Sequence, residues 1–220
     1  MGHRKMSATR NKNKLVFGVG RNDADYPVTV HEVINGRSRT VGACPIYTAW
    51  HSMLRRCFSA VLHAKRPSYL GCTVDTSWLT FSVFRRWMLT QDWGGKVLDK
   101  DILVEGNKRY SPDTCVFVSN AVNGFVTDHA AARGGYPIGV HWVPRISKFV
   151  ANCNSPYTTD RGYLGVFPTA AEAHLAWAAK KLEHACALAE EQTDHRVADA
   201  LVRRYERTLT TAKRALTAPA

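Results

Sequence analysis

Three short β-like segments lead into a long alanine-rich helical stretch in the last third of the chain. The β-like segments cover 138–142, 148–154 and 163–167, and turn-forming residues at 144–147 and 154–162 separate them. Short apolar runs bounded by turn residues are typical of strands. After Pro168 and Thr169, the pattern over 170–191 predicts a helix, and a final helix is predicted from about 194 to 216. This region is therefore expected to form three strands followed by two helices.

The composition is that of an ordinary globular protein. The chain has 220 residues, of which 45% are hydrophobic and 22% are charged, and this length suits one or two domains. The apolar runs are too short to span a bilayer, which excludes a transmembrane protein. Residues 1–14 are basic and lack the apolar core of a signal peptide. A cytoplasmic location with six reduced cysteines is therefore expected.

Basic residues outnumber acidic ones. Thirty Lys and Arg against eighteen Asp and Glu give a net charge of +12 and a pI near 9.7. Such a protein attracts polyanions, because each neutralised phosphate releases condensed counterions. Nucleic acid is favoured over an anionic membrane, since no segment pairs a basic face with a Trp/Leu face. Residues 1–14 are interpreted as a disordered basic arm, either a solvated tail or an electrostatic tether to DNA.

The region 15–130 combines helical patterns with a β-rich segment near its end. Hydrophobic residues at spacings of three and four predict a helix over 45–62. An aromatic stripe that predicts core packing is formed by Trp78, Phe81, Phe84, Trp87 and Met88. Between 94 and 125 the order is strand, turn, strand and helix, with Ser119 placed to cap the helix. A Gly-rich linker, 131–136, follows.

The segment around residue 100 carries a motif. It has Leu98-Asp-Lys-Asp-Ile between the β-like residues 97–98 and 102–104, then a turn, Tyr110-Ser-Pro-Asp-Thr-Cys-Val-Phe-Val-Ser, and Asn123 in the next helix. Over about thirty residues this pattern resembles the core of HNH (His–metal finger) nucleases, closest to the homing-type phage branch. The resemblance implies two strands and a helix that hold one divalent cation. For a phage-encoded protein, the location would be the host cytoplasm.

The same resemblance assigns roles to individual residues. Asp99 and Asn123 fall on metal-binding positions of the catalytic site, and their hard oxygen ligands suit Mg²⁺ or Mn²⁺. Lys100 stands where the family has its general-base histidine, and Thr114 replaces the Asn that braces the turn. Since two carboxylates flank Lys100 and favour its charged form, this residue suits phosphate stabilisation better than proton abstraction. Other sources of a base are metal-bound water and the histidines His51, His63 and His129.

A second motif covers about fifty residues of the C-terminal region. It contains Tyr136-Pro-Ile-Gly-Val-His-Trp, Lys148-Phe-Val-Ala and Tyr163-Leu-Gly-Val-Phe-Pro-Thr-Ala-Ala-Glu-Ala-His. In order and spacing it closely resembles the APETALA/ethylene-response-factor DNA-binding domain. The resemblance implies a three-stranded antiparallel sheet that lies in the major groove and is backed by one helix. The DNA-contacting positions that it carries over are His141, Arg145, Lys148, Asn152, Asn154, Arg161 and Tyr163.

Strand alternation predicts which sheet face each residue occupies. Phe149, Ala151 and Cys153 are expected to face the helix, whereas Asn152 and Asn154 face DNA. Asn side chains can bind adenine edges, and Arg can bind guanine edges or phosphates. The alternative is a solvated polar face.

Cysteine spacing does not favour a structural zinc site. Four cysteines lie in or before the finger segment, residues 97–126, and no two of them form a Cys-x-x-Cys pair. They are Cys44, Cys57, Cys72 and Cys115. Buried free thiols are the favoured interpretation, and metal binding by these four residues stays open.

These features together predict an α+β protein. A ββα-metal-like finger lies within a helical N-terminal module, and a three-stranded antiparallel sheet plus helix and a C-terminal helix follow. The predicted ranges are a basic arm 1–14, a nuclease module 15–130, a linker 131–136, a DNA-binding domain 137–192 and a C-terminal helix 193–220. The predicted function is homing-type, metal-dependent cleavage of double-stranded DNA. The alternative is a non-catalytic, sequence-specific DNA-binding or regulatory protein with a degenerate finger.

Overall fold

The computed structural model describes residues 14–35, 37–127 and 135–217. These residues form six α-helices and several small sheets, so the described chain is a mixed α and β structure. Its contacts divide it into two compact units. The N-terminal unit contains described residues up to Asp101 and Gly106–Val118, and the C-terminal unit contains Ile102–Glu105 and the described residues from Ser119 onward.

Three predicted features fall mainly outside the described residues. Only Lys14 of the predicted arm is described, and only Gly135 and Tyr136 of the predicted linker. His129 also lies outside the described residues, so its part as an alternative base stays a prediction.

The N-terminal unit is built from short elements. Its α-helices are α1 (Pro45–Phe58), α2 (Ala60–Lys65) and α3 (Phe81–Met88). Its strands are β1 (Thr29–Ile34), β2 (Arg37–Ala43), β3 (Thr73–Val74), β4 (Val97–Asp99), β5 (Arg109–Tyr110) and β6 (Val116–Val118). The strand pairs are β1–β2 and β4–β6, both antiparallel, and β3–β5, which is parallel.

Helix α1 begins at Pro45, a residue whose fixed φ suits the first helical turn. The helix predicted over 45–62 is in fact two helices. Ser59 interrupts it with extended backbone (φ −93°, ψ 106°), and its hydroxyl oxygen accepts the N–H of Leu62 as the cap of α2. The hydrophobic spacing alone did not reveal this break, because apolar residues continue on both sides of Ser59.

The aromatic stripe lies in the core of the N-terminal unit, as predicted. Trp78, Phe81 and Phe84 are almost fully buried, and the rings of Trp78 and Phe84 meet edge to face at 5.1 Å. Trp78 precedes α3 in a short 3-10 turn. Its carbonyl oxygen accepts a hydrogen bond of 2.7 Å from the indole N–H of Trp50, also fully buried on α1. The buried indole therefore has a polar partner as well as apolar neighbours.

The finger segment, residues 97–126, has the chain order β4, loop, β5, turn, β6 and helix. In the β4–β6 pair, Asp99 lies opposite Val116. Helix α4 (Asn120–Val126) follows, and the Ser119 hydroxyl oxygen accepts the Val122 N–H, which confirms the predicted cap. The β-like prediction for 102–104 is wrong: these residues form bends, and they group with the C-terminal unit. An apolar run becomes a strand only where a neighbouring strand supplies its hydrogen bonds.

The C-terminal unit contains α4, a sheet and two long helices. Its remaining elements are β7 (Val140–Val143), β8 (Lys148–Asn152), β9 (Tyr163–Phe167), α5 (Ala170–Glu190) and α6 (His195–Thr217). The strands form an antiparallel sheet in the order β7–β8–β9. Three antiparallel strands followed by a helix and a C-terminal helix confirm that part of the predicted fold, although β8 ends before residue 154.

Helices α5 and α6 pack against each other through small and aliphatic residues. Ala178, Ala185 and Leu201 are fully buried, and Leu188 is nearly so. Alanine side chains allow close approach of helix backbones at little entropic cost. Helix α5 starts with a capping box between Thr169 and Glu172, which satisfies two N-terminal N–H groups.

Candidate nucleic-acid interface and finger loop

The strand register divides the three-stranded sheet into two faces. His141, Val150 and Val166 are cross-strand neighbours, and cross-strand neighbours share a face. Lys148 and Asn152 occupy this face as well, because residues two apart on a strand point the same way. We call it the outer face; its central residue, Val150, is buried at 8% exposure, and the residues around Val150 are half-buried or exposed.

The opposite face packs on α5. Ala151 and Cys153 are buried, and Cys153 belongs to an apolar cluster with Trp177 and Ala178. Phe149 is partly buried on the same face, against the ring of Trp142. The predicted inward set, Phe149, Ala151 and Cys153, is therefore confirmed as one face.

Predicted DNA-contacting residues remain accessible in this unit. Six are exposed, namely His141, Arg145, Lys148, Asn154, Arg161 and Tyr163. Asn152 is half-buried, and its side-chain N–H approaches the Arg161 carbonyl oxygen at 3.5 Å. Tyr163, which pairs with Asn152 across β8 and β9, is 64% exposed. The sheet and its connecting segments thus present Arg and Lys cations, two amides, one imidazole and one phenol.

The chain positions of these residues differ. His141, Lys148, Asn152 and Tyr163 lie on strands, whereas Arg145 lies in the short 3-10 turn between β7 and β8. Asn154 and Arg161 flank the loop that joins β8 to β9. Strand residues have a fixed direction, while turn and loop residues can adapt to a phosphate backbone. This arrangement suits base contacts from the strands and phosphate contacts from the loops.

The finger loop, residues 99–108, runs from the last residue of β4 to the start of β5. Two aspartates and one lysine at its beginning hold it together. An oxygen of the Asp99 carboxylate accepts the Asp101 N–H at 2.8 Å. The Lys100 ammonium donates to the Asp101 carboxylate at 2.9 Å and lies 5.9 Å from the Tyr110 ring centroid. Asp99 and Lys100 are both nearly buried, at 9% and 8% exposure. A phosphate would therefore have to compete with Asp101 for the ammonium.

Asn107 braces the loop that connects β4 to β5. Its side-chain amide donates to the carbonyl oxygens of Lys100 and Arg109 at 2.6 and 2.7 Å, and its side-chain oxygen accepts the Arg109 N–H at 3.0 Å. Thr114, expected at the bracing position, donates to the same Arg109 carbonyl at 2.9 Å. In the sequence, Asn107 falls in the turn before Tyr110, and nothing there indicates that it braces the loop. Its bracing part depends on backbone groups that come together only in the folded loop.

A second cation near the loop was not predicted from the sequence. The Arg56 guanidinium lies 3.5 Å from both the Leu98 carbonyl oxygen and the Tyr110 hydroxyl. Burial works against its charge, but the electrostatic pull of Tyr110, Tyr69 and Asp99 leaves the pKa of Arg56 raised. The Arg56 charge therefore interacts electrostatically with the predicted metal-binding carboxylate of Asp99.

Two of the alternative base histidines are engaged in local contacts. The His63 ring donates through Nε2 to the Arg56 carbonyl oxygen at 2.8 Å. His51 packs against Phe17, with ring centroids 4.9 Å apart. Burial, together with the Arg55 guanidinium, lowers the pKa of His51, so its ring is neutral at neutral pH.

Asn123, the second predicted ligand, lies half-buried on α4. Asp99 belongs to the N-terminal unit and Asn123 to the C-terminal unit. Their oxygens are hard ligands of the kind that Mg²⁺ and Mn²⁺ take, and such ions are commonly completed by water and substrate phosphate. Within 14–35, 37–127 and 135–217, no group of three or more His, Cys, Asp or Glu is arranged to hold a metal ion.

The finger-region cysteines are free thiols. Cys57, Cys72 and Cys115 are buried, as expected, and Cys44 is half-buried. Burial raises the pKa of both Cys57 and Cys115 to about 12. Because the thiolate is the form that binds metals, a metal ion would have to displace the protons of Cys57 and Cys115.

A partly buried lysine was also missed by sequence reasoning. The Lys181 ammonium on α5 lies 3.4 Å from the Phe125 ring centroid and 5.5 Å from that of Tyr205. Burial lowers the pKa of Lys181 from 10.5 to about 8; the nearby Arg204 charge adds to this, while Cys153 opposes it. The Ala-rich helical pattern gave no signal for it, since Lys is a common surface residue.

Lys181→Met is expected to stabilise the protein by about 1–2 kcal/mol at pH 7, and the gain should shrink towards pH 10. Between about pH 8 and 10.5 the unfolded chain binds more protons at Lys181 than the folded chain does. The free-energy cost of burying the Lys181 charge therefore disappears as the pH rises. The Phe125 ring offsets part of this cost, because it attracts the ammonium. Urea unfolding at both pH values measures this, with Lys213→Met, at an exposed lysine of α6, as control. A gain that is equal at both pH values would contradict the assigned cause.

Comparisons with protein-family models, curated proteins and solved structures found no match to this chain. None of the helices in the described ranges is both long and apolar enough to cross a membrane. What the chain does is therefore inferred from the chemistry of its exposed surfaces.

Proposed function

We propose that this protein binds duplex DNA through the outer face of its three-stranded sheet and cleaves a phosphodiester bond at the finger loop, as a homing-type endonuclease does. The observation that carries the proposal is the outer face itself. It presents His141, Lys148 and Tyr163 on strands, with Arg145 and Arg161 beside them, and leaves most of these side chains exposed. A net charge of +12 supports a polyanionic partner.

The dimensions of a small antiparallel sheet suit a DNA groove. The major groove of B-DNA admits a two-stranded ribbon or a helix, and sheet proteins read it with strand side chains. The half-buried amide of Asn152 can pair with an adenine edge, and the Arg161 guanidinium with guanine or phosphate. The apolar Val166, 44% exposed on the same face, suits contact with thymine methyl groups.

The proposal assigns cleavage to the segment around Asp99. The Asp99 carboxylate and the Asn123 amide are the ligands proposed for Mg²⁺ or Mn²⁺. The cation, when bound, would stabilise charge that develops on the phosphate and leaving oxygen. Lys100 and Arg56 add positive charge near Asp99, which favours an approaching phosphate.

A second candidate function is sequence-specific DNA binding without cleavage. It is favoured by the surroundings of Lys100. This residue is nearly buried, and its ammonium donates a hydrogen bond of 2.9 Å to the Asp101 carboxylate. An ammonium engaged by a carboxylate suits charge stabilisation better than proton abstraction. Incubation of supercoiled DNA with the protein and Mg²⁺ or Mn²⁺ separates the two functions. Metal-dependent nicking supports the nuclease, whereas binding without nicking in either metal leaves the non-catalytic function.

Arg161→Ala is expected to weaken duplex binding by about 1–3 kcal/mol if its guanidinium reads a base. Fluorescence anisotropy with a labelled duplex measures the affinity. Lys213→Ala, which removes an exposed cation on α6 outside the sheet, serves as the matched control. Equal affinities for Arg161→Ala, the control and the wild type would remove Arg161 from the interface.

A further inference from the structure

A groove of about 800 Å³ runs between helix α6 and the segment Ile102–Glu105, entirely within the C-terminal unit. Four arginines and two glutamates are among the residues that line it. The sequence resemblances assign nothing to this groove, and it is separate from the residues proposed to read DNA on the sheet.

The arginines form a regular stripe along the helix. Arg203, Arg207 and Arg214 are exposed, with Thr210 between the last two. Their spacings of four, three and four residues place them on one side of an α-helix. Eleven residues at 1.5 Å each span about 16 Å, and a length of about 16 Å measured along the duplex axis contains about five phosphates of one strand.

Glu105 leaves the arginine stripe available to an anion. Glu105 accepts Arg207 at 2.6 Å and Arg204 at 3.5 Å. The Arg207 and Glu105 side chains are 66% and 50% exposed, and ion pairs this exposed contribute little stability. Exchange of Glu105 for a phosphate therefore costs little, while Arg203 and Arg214 extend the positive surface on either side.

We infer that this groove binds the phosphodiester backbone of duplex DNA, as a second contact surface that holds the strand without reading its sequence. The inference rests on the proposed DNA binding. Guanidinium groups bind phosphate oxygens bidentately. A stripe about three helical turns long matches a continuous row of phosphates better than one small anion. The affinity from this surface depends on salt, because each contact releases counterions.

The test uses the full chain and a labelled duplex without a specific site. Anisotropy titrations between about 50 and 200 mM salt give the slope of log affinity against log salt concentration. In the double variant Arg203→Gln/Arg214→Gln, the slope should fall by about 2, so the loss of affinity over that salt range should be about tenfold smaller than for the wild type. Lys213→Gln, an exposed cation on α6 that does not line the groove, should change the slope by much less.

Glu206→Gln provides an opposite test, since it removes a negative charge from the groove lining. It should raise the affinity several-fold, and it covers the case in which the double variant loses its helical circular dichroism. Equal slopes for the double variant and Lys213→Gln, or an unchanged affinity for Glu206→Gln, overturn the inference while the proposed function stands. A wild type that binds no duplex even at low salt overturns both.

Discussion

Nicking of supercoiled DNA is expected to fall by about 100-fold or more in Asp99→Asn, while DNA binding stays within about twofold of the wild type. Asparagine retains a side-chain oxygen that can accept the Asp101 N–H, now bonded at 2.8 Å. The loop should therefore keep its shape. What the variant loses is the negative charge that attracts a divalent cation. The conversion rate from supercoiled to open-circular plasmid, in Mg²⁺ and in Mn²⁺, measures the effect.

Asp113→Asn is the matched control for this experiment. Asp113 is an exposed carboxylate in the turn after β5 and is not a predicted ligand. It should nick at the wild-type rate. Full activity in Asp99→Asn would exclude Asp99 as a metal ligand, and Asn123→Ala tests the other proposed ligand in the same assay. Loss of activity in both carboxylate variants would point to a general charge effect.

Gly162→Ala is expected to destabilise the C-terminal unit by more than about 3 kcal/mol and to abolish duplex binding. Gly162 has a φ of +58°, and a Cβ there would overlap the carbonyl oxygen of Cys153. That oxygen belongs to the backbone just after β8, and the Cys153 N–H donates to the Gly162 carbonyl at 2.9 Å. Neither the Cys153 backbone nor the Gly162 backbone can move away without breaking this hydrogen bond, which joins the end of β8 to the start of β9. Urea unfolding and duplex anisotropy measure the two effects.

Gly71→Ala isolates the backbone contribution to this effect. Gly71 also has a positive φ, +76°, but no atom lies within 4 Å of the added Cβ. Its replacement should cost only about 1 kcal/mol, the usual cost of a left-handed conformation for an L-residue. Similar losses for Gly71→Ala and Gly162→Ala would mean that the overlap with Cys153 is relieved by relaxation.

Element types were largely predictable from local patterns. Alternation and turn residues predicted the three strands of the C-terminal sheet, and the segment 163–167 coincides with β9. Alanine richness predicted α5, and hydrophobic residues at four-residue steps predicted α6, both nearly to their ends. Such patterns work where one face of an element is buried, because burial imposes the period on the sequence. They fail at Ser59, where a local cap interrupts a continuous apolar pattern, and at 102–104, where no partner strand in the described chain supplies hydrogen bonds.

The candidate site likewise combines features that the sequence predicted with contacts that only the tertiary structure revealed. Local sequence order by itself indicated that Asp99 lies at the end of a short strand and that Ser119 caps α4, because β-like residues precede Asp99 and a cap needs only nearby residues. Only the tertiary structure decided that Asn107 braces the loop and that Arg56 stands near Asp99. It also decided that the α6 arginines line a groove with 102–105. These contacts join residues distant in the chain, and a single sequence carries no periodic signal for them.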